Sequence, residues 1–256
     1  MATIGLKARL ARGRGLLNGY CMLPCAFAAE VYARQGFDLV TVDLQHGLSD
    51  YSSMLSMLQA ITACDVVPMV RVPWLEPGII MKALDAGALG ITCPMIGTAE
   101  EAERLVRYAS YPPRGERSLG PIRASAIYGP SYAKDANGIV ATIAMIETAA
   151  GVANVDAIAR VEGLTGIYVG PGDLAASLGR PAFPDRFDEV VDGAVEKMLA
   201  ACRTHGLVSG TFAATPERAR DLVARGFDFV TLNTDVSALQ SQAAAWVSAY
   251  RSMRSA

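Results

Sequence analysis

Polar residues with catalytic potential close several otherwise apolar runs of this chain. Asp43, Gln45 and His46 follow FDLVTV, and Arg71 follows VVPMV. Glu147 and Thr148 end IVATIAMIET, Asp173 follows Gly170-Pro171-Gly172, Thr211 lies near the end of LVSGTFAA, and Asn233 and Asp235 close FDFVTLNT. Glu147 and Asp173 are hard oxygen donors. With waters and a bidentate substrate they make a six-oxygen site for Mg, Mn or a similar divalent ion. Helix capping, or a pairing of Glu147 with Arg71, is the competing explanation. His46 has a carboxylate, Asp43, close by in sequence to orient it, which suits a general base. The second histidine, His205, follows a long helix and belongs at the opposite end of the molecule as a structural residue.

The lysines argue against one mechanism. Schiff-base carbonyl chemistry needs an amine near the reacting carbon. Lys7, Lys82, Lys134 and Lys197 fall in the N-terminal segment, two helices and a long irregular stretch, and none ends an apolar run. Carbonyl chemistry here would rest on a metal. Arg114, Arg117 and Arg123 lie in that irregular stretch, residues 111–138, as solvated charges or as a rim that attracts an anionic substrate.

The elements that position these groups alternate. Near-continuous apolar runs over 16–23, 37–44, 66–72, 88–95, 139–147, 164–171, 207–214 and 227–234 read as strands buried on both faces. Amphipathic helical sequence follows each, including a long helix over 184–206 and a last one from Asp235. Ser49 or Asp50 is expected to cap one helix, and Thr98 with Glu101 another. Eight βα units predict an α/β fold, a (β/α)8 TIM barrel whose site collects at the strands' C-terminal ends. No Gly-rich nucleotide fingerprint follows the first run, which argues against a doubly wound open sheet. Residues 1–256 read as a single domain.

Composition sets the remaining bounds. The chain has 256 residues, 52% hydrophobic and 19% charged, with a formal net charge of -2. That excludes a disordered chain and disfavours nucleic acid as a partner. No apolar run is long enough for a membrane span, and the basic N-terminus lacks the apolar region of a secretory signal. Cys21, Cys25, Cys64, Cys93 and Cys202 are too few and scattered for a disulfide framework and read as reduced thiols of a cytoplasmic protein.

The segments VTVDLQHGLSDY, VPMVRVPW, LDAGALGITCPMI, YPPRGERSLGP, IAMIET and GIYVGPGDLAASLG resemble the HpcH/HpaI aldolase family, metal-dependent class II pyruvate aldolases, from near residue 5 to near residue 250. The resemblance implies a carbon–carbon lyase acting on a small 2-oxo acid and an aldehyde, with Mg, Mn or Co as cofactor. It implies Glu147 and Asp173 as metal ligands and Arg71 at the substrate's keto oxygen. His46 would act with a water as base beside Asp43, and the backbone of Gly172 and Asp173 would cradle the substrate carboxylate. Ser118, Leu119 and Phe212 would shape the substrate pocket. It also implies a homo-oligomer, a hexamer, in which Asp85, at the bottom of its own barrel, serves the His46 of a neighbour.

This chain departs from the family pattern at Gln45, where Glu is frequent, at Met145, where Gln is frequent, and at Phe212, where a smaller aliphatic is common. The same residues would also serve a metal-enolate lyase acting on a CoA thioester or decarboxylating oxaloacetate. A barrel that only binds a 2-oxo acid is the non-enzymatic alternative, although such a module needs no base.

Overall fold

The computed structural model describes residues 5–10, 13–182 and 187–254. Eight parallel strands close into one barrel in sequence order: β1 (Leu16–Cys21), β2 (Leu39–Asp43), β3 (Val67–Arg71), β4 (Gly90–Cys93), β5 (Ala141–Ile146), β6 (Gly166–Val169), β7 (Val208–Ala213) and β8 (Phe229–Thr234). Helix α1 (Leu6–Leu10) precedes them. Helices α2 (Ala26–Ala33), α3 (Tyr51–Ile61), α4 (Pro77–Asp85) and α5 (Ala99–Ala109) follow the first four strands in turn. Two more, α6 (Ile122–Tyr128) and α7 (Tyr132–Ile139), interrupt the approach to β5. The second half carries α8 (Ala149–Ala153), α9 (Val155–Ala159), α10 (Pro171–Ser177), α11 (Glu189–His205), α12 (Pro216–Arg225) and α13 (Asp235–Arg254). The expected helix over 184–206 is α11; its positions 184–186 lie outside the described residues.

Each apolar run became a strand because the barrel buries both of its faces. Outward residues such as Val40, Val70, Ile91, Ile146 and Val169 pack in one shell with the helices. Inward residues such as Leu39, Met69, Ile143, Tyr168 and Phe229 fill the barrel. The filling is tight: a Cβ on Gly210 would lie 2.1 Å from the Phe229 ring. A polar chain crosses the interior. Thr41 donates to Asn18 (2.9 Å), Asn18 donates to Thr231 (2.9 Å), and the Tyr168 hydroxyl donates to Thr231 (2.9 Å).

Caps set the helix starts. Asp50 accepts from the Ser53 N–H, and Thr98 from that of Glu101. The side chain of Glu101 takes the Gly97 N–H, so the expected reciprocal box at Thr98 does not close.

The stretch 111–138 runs from the end of α5 to the start of β5, so it lies across the N-terminal end of the barrel. None of its arginines lies at the strands' C-terminal rim, and of the three only Arg114 is exposed as a solvated charge would be. Arg117 is 2% exposed, donates to Asp85 (2.7 Å) and packs over the Tyr111 ring (4.4 Å). Arg123 binds the Ala86 carbonyl and Thr62, and Arg114 the Asn137 carbonyl. They pin a plug to the closed end.

Helix α13 behaves differently from the others. Asp235 anchors its start by accepting from the Met22 N–H (2.9 Å) and the Leu23 N–H (3.2 Å). From Ala238 through Met253 every residue is exposed. Among the described residues, no helix is long and apolar enough to cross a membrane.

Candidate active site

The C-terminal ends of the strands open on a cavity of about 440 Å³. His46, Arg71, Glu147, Gly172, Asp173 and Phe212 all border it. Strand register explains the meeting of Arg71 with a carboxylate: Asp43 is the direct partner of Arg71 across β2 and β3. Arg71 Nε donates to Asp43 Oδ1 (2.8 Å) and Nη2 to Oδ2 (2.6 Å), a two-pronged clamp with Asp43 fully buried. Among the described residues Nη1 makes no hydrogen bond. Burial opposes the charge on Arg71, but Tyr20 and the Asp43 carboxylate outweigh it and hold its pKa above the ordinary arginine value.

This geometry corrects one expectation. Asp43 does not orient the His46 imidazole. Its oxygens are committed to Arg71 and to the backbone N–H groups of Gln45 (3.0 Å) and His46 (3.4 Å), because the chain turns sharply past the end of β2. The exposed His46 side chain borders the cavity from that turn.

Glu147 follows β5 and does not pair with Arg71. Its Oε1 accepts from the Met95 N–H (2.9 Å). Met95 has a φ of 59°, a left-handed conformation seldom taken by non-glycine residues. Burial pushes the Glu147 carboxyl up to about 7; the Met95 bond opposes this and Asp173 adds to it. Asp173 sits in the first turn of α10, whose leading N–H groups have no intrahelical acceptor. Gly170 makes room for the carboxylate: a Cβ there would lie 2.2 Å from Glu147 Oε2. A buried carboxylate whose charge is disfavoured both by burial and by a second carboxylate is a hard-oxygen pair short of positive charge. These residues fit a divalent cation that completes its shell with substrate and water.

The remaining expected residues fall elsewhere. Asp85 ends α4 at the opposite end of the barrel, held by Arg117. Ser118 and Leu119 are exposed on the same plug, so neither reaches the cavity of its own chain. Thr211 donates to the Val169 carbonyl, and Asp235 serves the turn after β1. Lys7, Lys82, Lys134 and Lys197 lie in α1, α4, α7 and α11, away from the cavity. Sequence reasoning missed Tyr20, Tyr168, Met22 and Thr234, which also border it. Tyr20 and Tyr168 occupy inward strand positions, and the period-two pattern of β1 and β6 is the signal that could have found them.

Residues 21–241 match the HpcH/HpaI aldolase/citrate lyase family. The chain belongs to that family. A hydroxypyruvate/pyruvate aldolase of Rhizorhabdus wittichii is 40% identical over 231 residues, 90% of this chain and 92% of the relative. A 4-hydroxy-2-oxovalerate aldolase of Rhodococcus jostii is 38% identical over 245 residues, 93% of each chain. A solved HpcH/HpaI aldolase/citrate lyase family protein from Burkholderia cenocepacia J2315 superposes with a TM-score of 0.89 at 35% identity, covering 96% of this chain and 98% of that one. This HpcH/HpaI family member is an enzyme, a carbon–carbon lyase, on a (β/α)8 barrel.

Proposed function

We propose that the enzyme makes or cleaves 4-hydroxy-2-oxo acids, joining the enolate of pyruvate or hydroxypyruvate to an aldehyde. The observation that carries this reading is the clamped Arg71 facing the Glu147–Asp173 pair across one cavity, with His46 at its edge. Relatives named for pyruvate, hydroxypyruvate and 4-hydroxy-2-oxovalerate support it.

Glu147 and Asp173 would hold a divalent ion, Mg, Mn or Co, which when bound supplies Lewis-acid polarisation of the donor's keto group. Arg71 donates to the same keto oxygen as negative charge develops there, the kind of stabilisation that contributes about 3 kcal/mol per donor. The N–H groups of Gly172 and Asp173 receive the donor's carboxylate. His46, through a water, takes the C3 proton. The resulting C3 carbon attacks the aldehyde carbonyl, a C–C bond forms, and the new alkoxide takes up a proton. Cleavage runs these steps backwards. Phe212 narrows the acceptor side of the cavity.

The enzyme completes its site as a homo-oligomer, a hexamer in this reading. Helix α13 supports it. Leu239, Ala243, Trp246, Tyr250 and Met253 repeat at alternating spacings of four and three, the pattern of an apolar seam. Leu239 is 62%, Trp246 68% and Met253 70% exposed. A 20-residue helix is stable in water chiefly through packing of such a face. The exposed Phe27 and Val31 of α2 offer a counterpart on a second copy. In that assembly Asp85, Ser118 and Leu119 would meet a neighbour's cavity, with Asp85 beside its His46. All eight strands share one barrel, which supports a single domain, and five free cysteines support a cytoplasmic setting.

Proton exchange at C3 of pyruvate in D2O, followed by NMR, tests the chemistry. EDTA-treated protein should be silent, and added Mg, Mn or Co should start exchange. Folded protein that stays silent with all three ions overturns the reading.

A further inference from the structure

We propose that Met95 is a positioning residue for the metal: its left-handed backbone aims one N–H at Glu147 Oε1 and so leaves Oε2 as the oxygen presented to the cation. The inference rests on the assignment of Glu147 and Asp173 as ligands above. Among the described residues two non-glycines have a positive φ, Met95 (59°) and Asn233 (57°). Asn233 is compensated, because its side chain donates to the Ala214 carbonyl and accepts from the Thr234 N–H. Asparagine visits this region of backbone space and methionine rarely does. The Met95 side chain is half-buried, joins neither apolar shell and does not border the cavity. Backbone strain of this kind persists only where the surroundings over-determine it.

Three consecutive N–H groups past the end of β4 supply that over-determination. The Met95 N–H goes to Glu147 Oε1 (2.9 Å), the Ile96 N–H to the Met145 carbonyl (3.1 Å), and the Gly97 N–H to the Glu101 carboxylate (2.8 Å). The Gly97 carbonyl accepts from the Asn154 side chain (2.8 Å). A Cβ on Gly151 would lie 3.0 Å from the Ile96 carbonyl oxygen, so the segment has little room to shift on that side. With Ile96 and Gly97 pinned, returning φ of Met95 to the usual negative value turns its N–H by about 120° around the N–Cα bond, away from Glu147.

The other oxygen is treated differently. Among the described residues Glu147 Oε2 accepts no hydrogen bond, and it lies where a Cβ on Gly170 would approach to 2.2 Å. Gly170 leads directly into α10, which carries Asp173 in its first turn. A carboxylate with one oxygen held by a fixed N–H keeps a single orientation and offers one oxygen. Partners that orient a metal ligand in this way raise its affinity for the ion. The strained residue therefore serves the ligand through its main chain, and its side chain is incidental.

Met95→Val, Met95→Gly and Met95→Asn separate the backbone from the side chain. The branched Cβ of valine bars the left-handed region, glycine enters it without steric cost, and asparagine tolerates it. Calorimetric titration of Mn into EDTA-treated, dialysed full-length protein would give the Kd, and thermal unfolding of the metal-free proteins would report stability separately. Met95→Val should bind Mn about 10–100-fold more weakly while keeping the far-UV circular dichroism of the wild type. Met95→Gly and Met95→Asn should bind Mn as the wild type does, although both lack the thioether. A Met95→Val protein that melts lower yet keeps its Mn affinity, or that fails to fold, assigns the bend to the fold and overturns the proposal. Met95→Gly or Met95→Asn weakened as far as Met95→Val assigns the effect to the side chain and also overturns it. Wild-type protein that binds no Mn overturns the metal reading and this inference with it, whereas wild type that binds Mn leaves the metal reading standing whatever the variants do.

Discussion

Breaking the Asp43–Arg71 pair would leave a guanidinium whose side chain is 10% exposed without its counter-charge. Asp43→Ala should therefore cost about 3–5 kcal/mol, read from urea unfolding. Gly170→Ala makes a different demand. Gly170 has a φ of -88°, so the backbone tolerates alanine, but the new methyl would collide with Glu147 Oε2. Metal affinity should drop about 10–100-fold in calorimetric titration, as when an outer support of a ligand is disturbed. Glu147, Asp173 and Arg71 were legible in the sequence because a charge closing a greasy run has few structural reasons to be there. The partner of Asp43 was not, since Arg71 lies 28 residues away and only strand register brings them level. Tyr20 hid for a related reason: an aromatic inside a strand looks like core.

All eight strands and the alternation of helices could be read from apolar runs alone. The runs overshoot the ladders by a residue or two because flanking side chains such as Val66, Val72 and Leu89 stay buried after the strand hydrogen bonds end. The segment 111–138 announced itself through its Gly, Pro and Arg content. Its face did not follow from content; it follows from connectivity, since any link from helix to strand lies at the barrel's N-terminal end. Arg117→Ala should strip Asp85 of its partner and lower stability by about 3 kcal/mol in thermal or chemical unfolding. Isolated pyruvate affinity per folded barrel should move far less, because no atom of Arg117 borders the cavity of its own chain.

For the molecule as a whole, the barrel shields its interior at one end with a pinned plug and gathers the charged groups of the cavity at the other. Helix α13 was legible as a helix but not as an outreaching one, since a stripe of Leu239, Trp246 and Met253 reads the same whether its own barrel or another receives it. Ending the chain after Ser237 should leave the barrel folded, because the deleted residues that are described are exposed. The particle mass measured by light scattering should fall toward that of one chain. An assembly that survives this truncation places the contact elsewhere.

Asp235 joins two regions that otherwise have separate duties. It stands at the root of the exposed helix α13, and the same carboxylate holds the Met22 N–H, while Met22 and Thr234 border the cavity. The arm and the cavity wall therefore share a hinge pin. A subunit whose arm has nothing to grip would keep its barrel yet loosen that wall. On dilution, substrate affinity should weaken before far-UV circular dichroism registers any loss of helix, so that companionship among subunits becomes a setting on the enzyme's appetite.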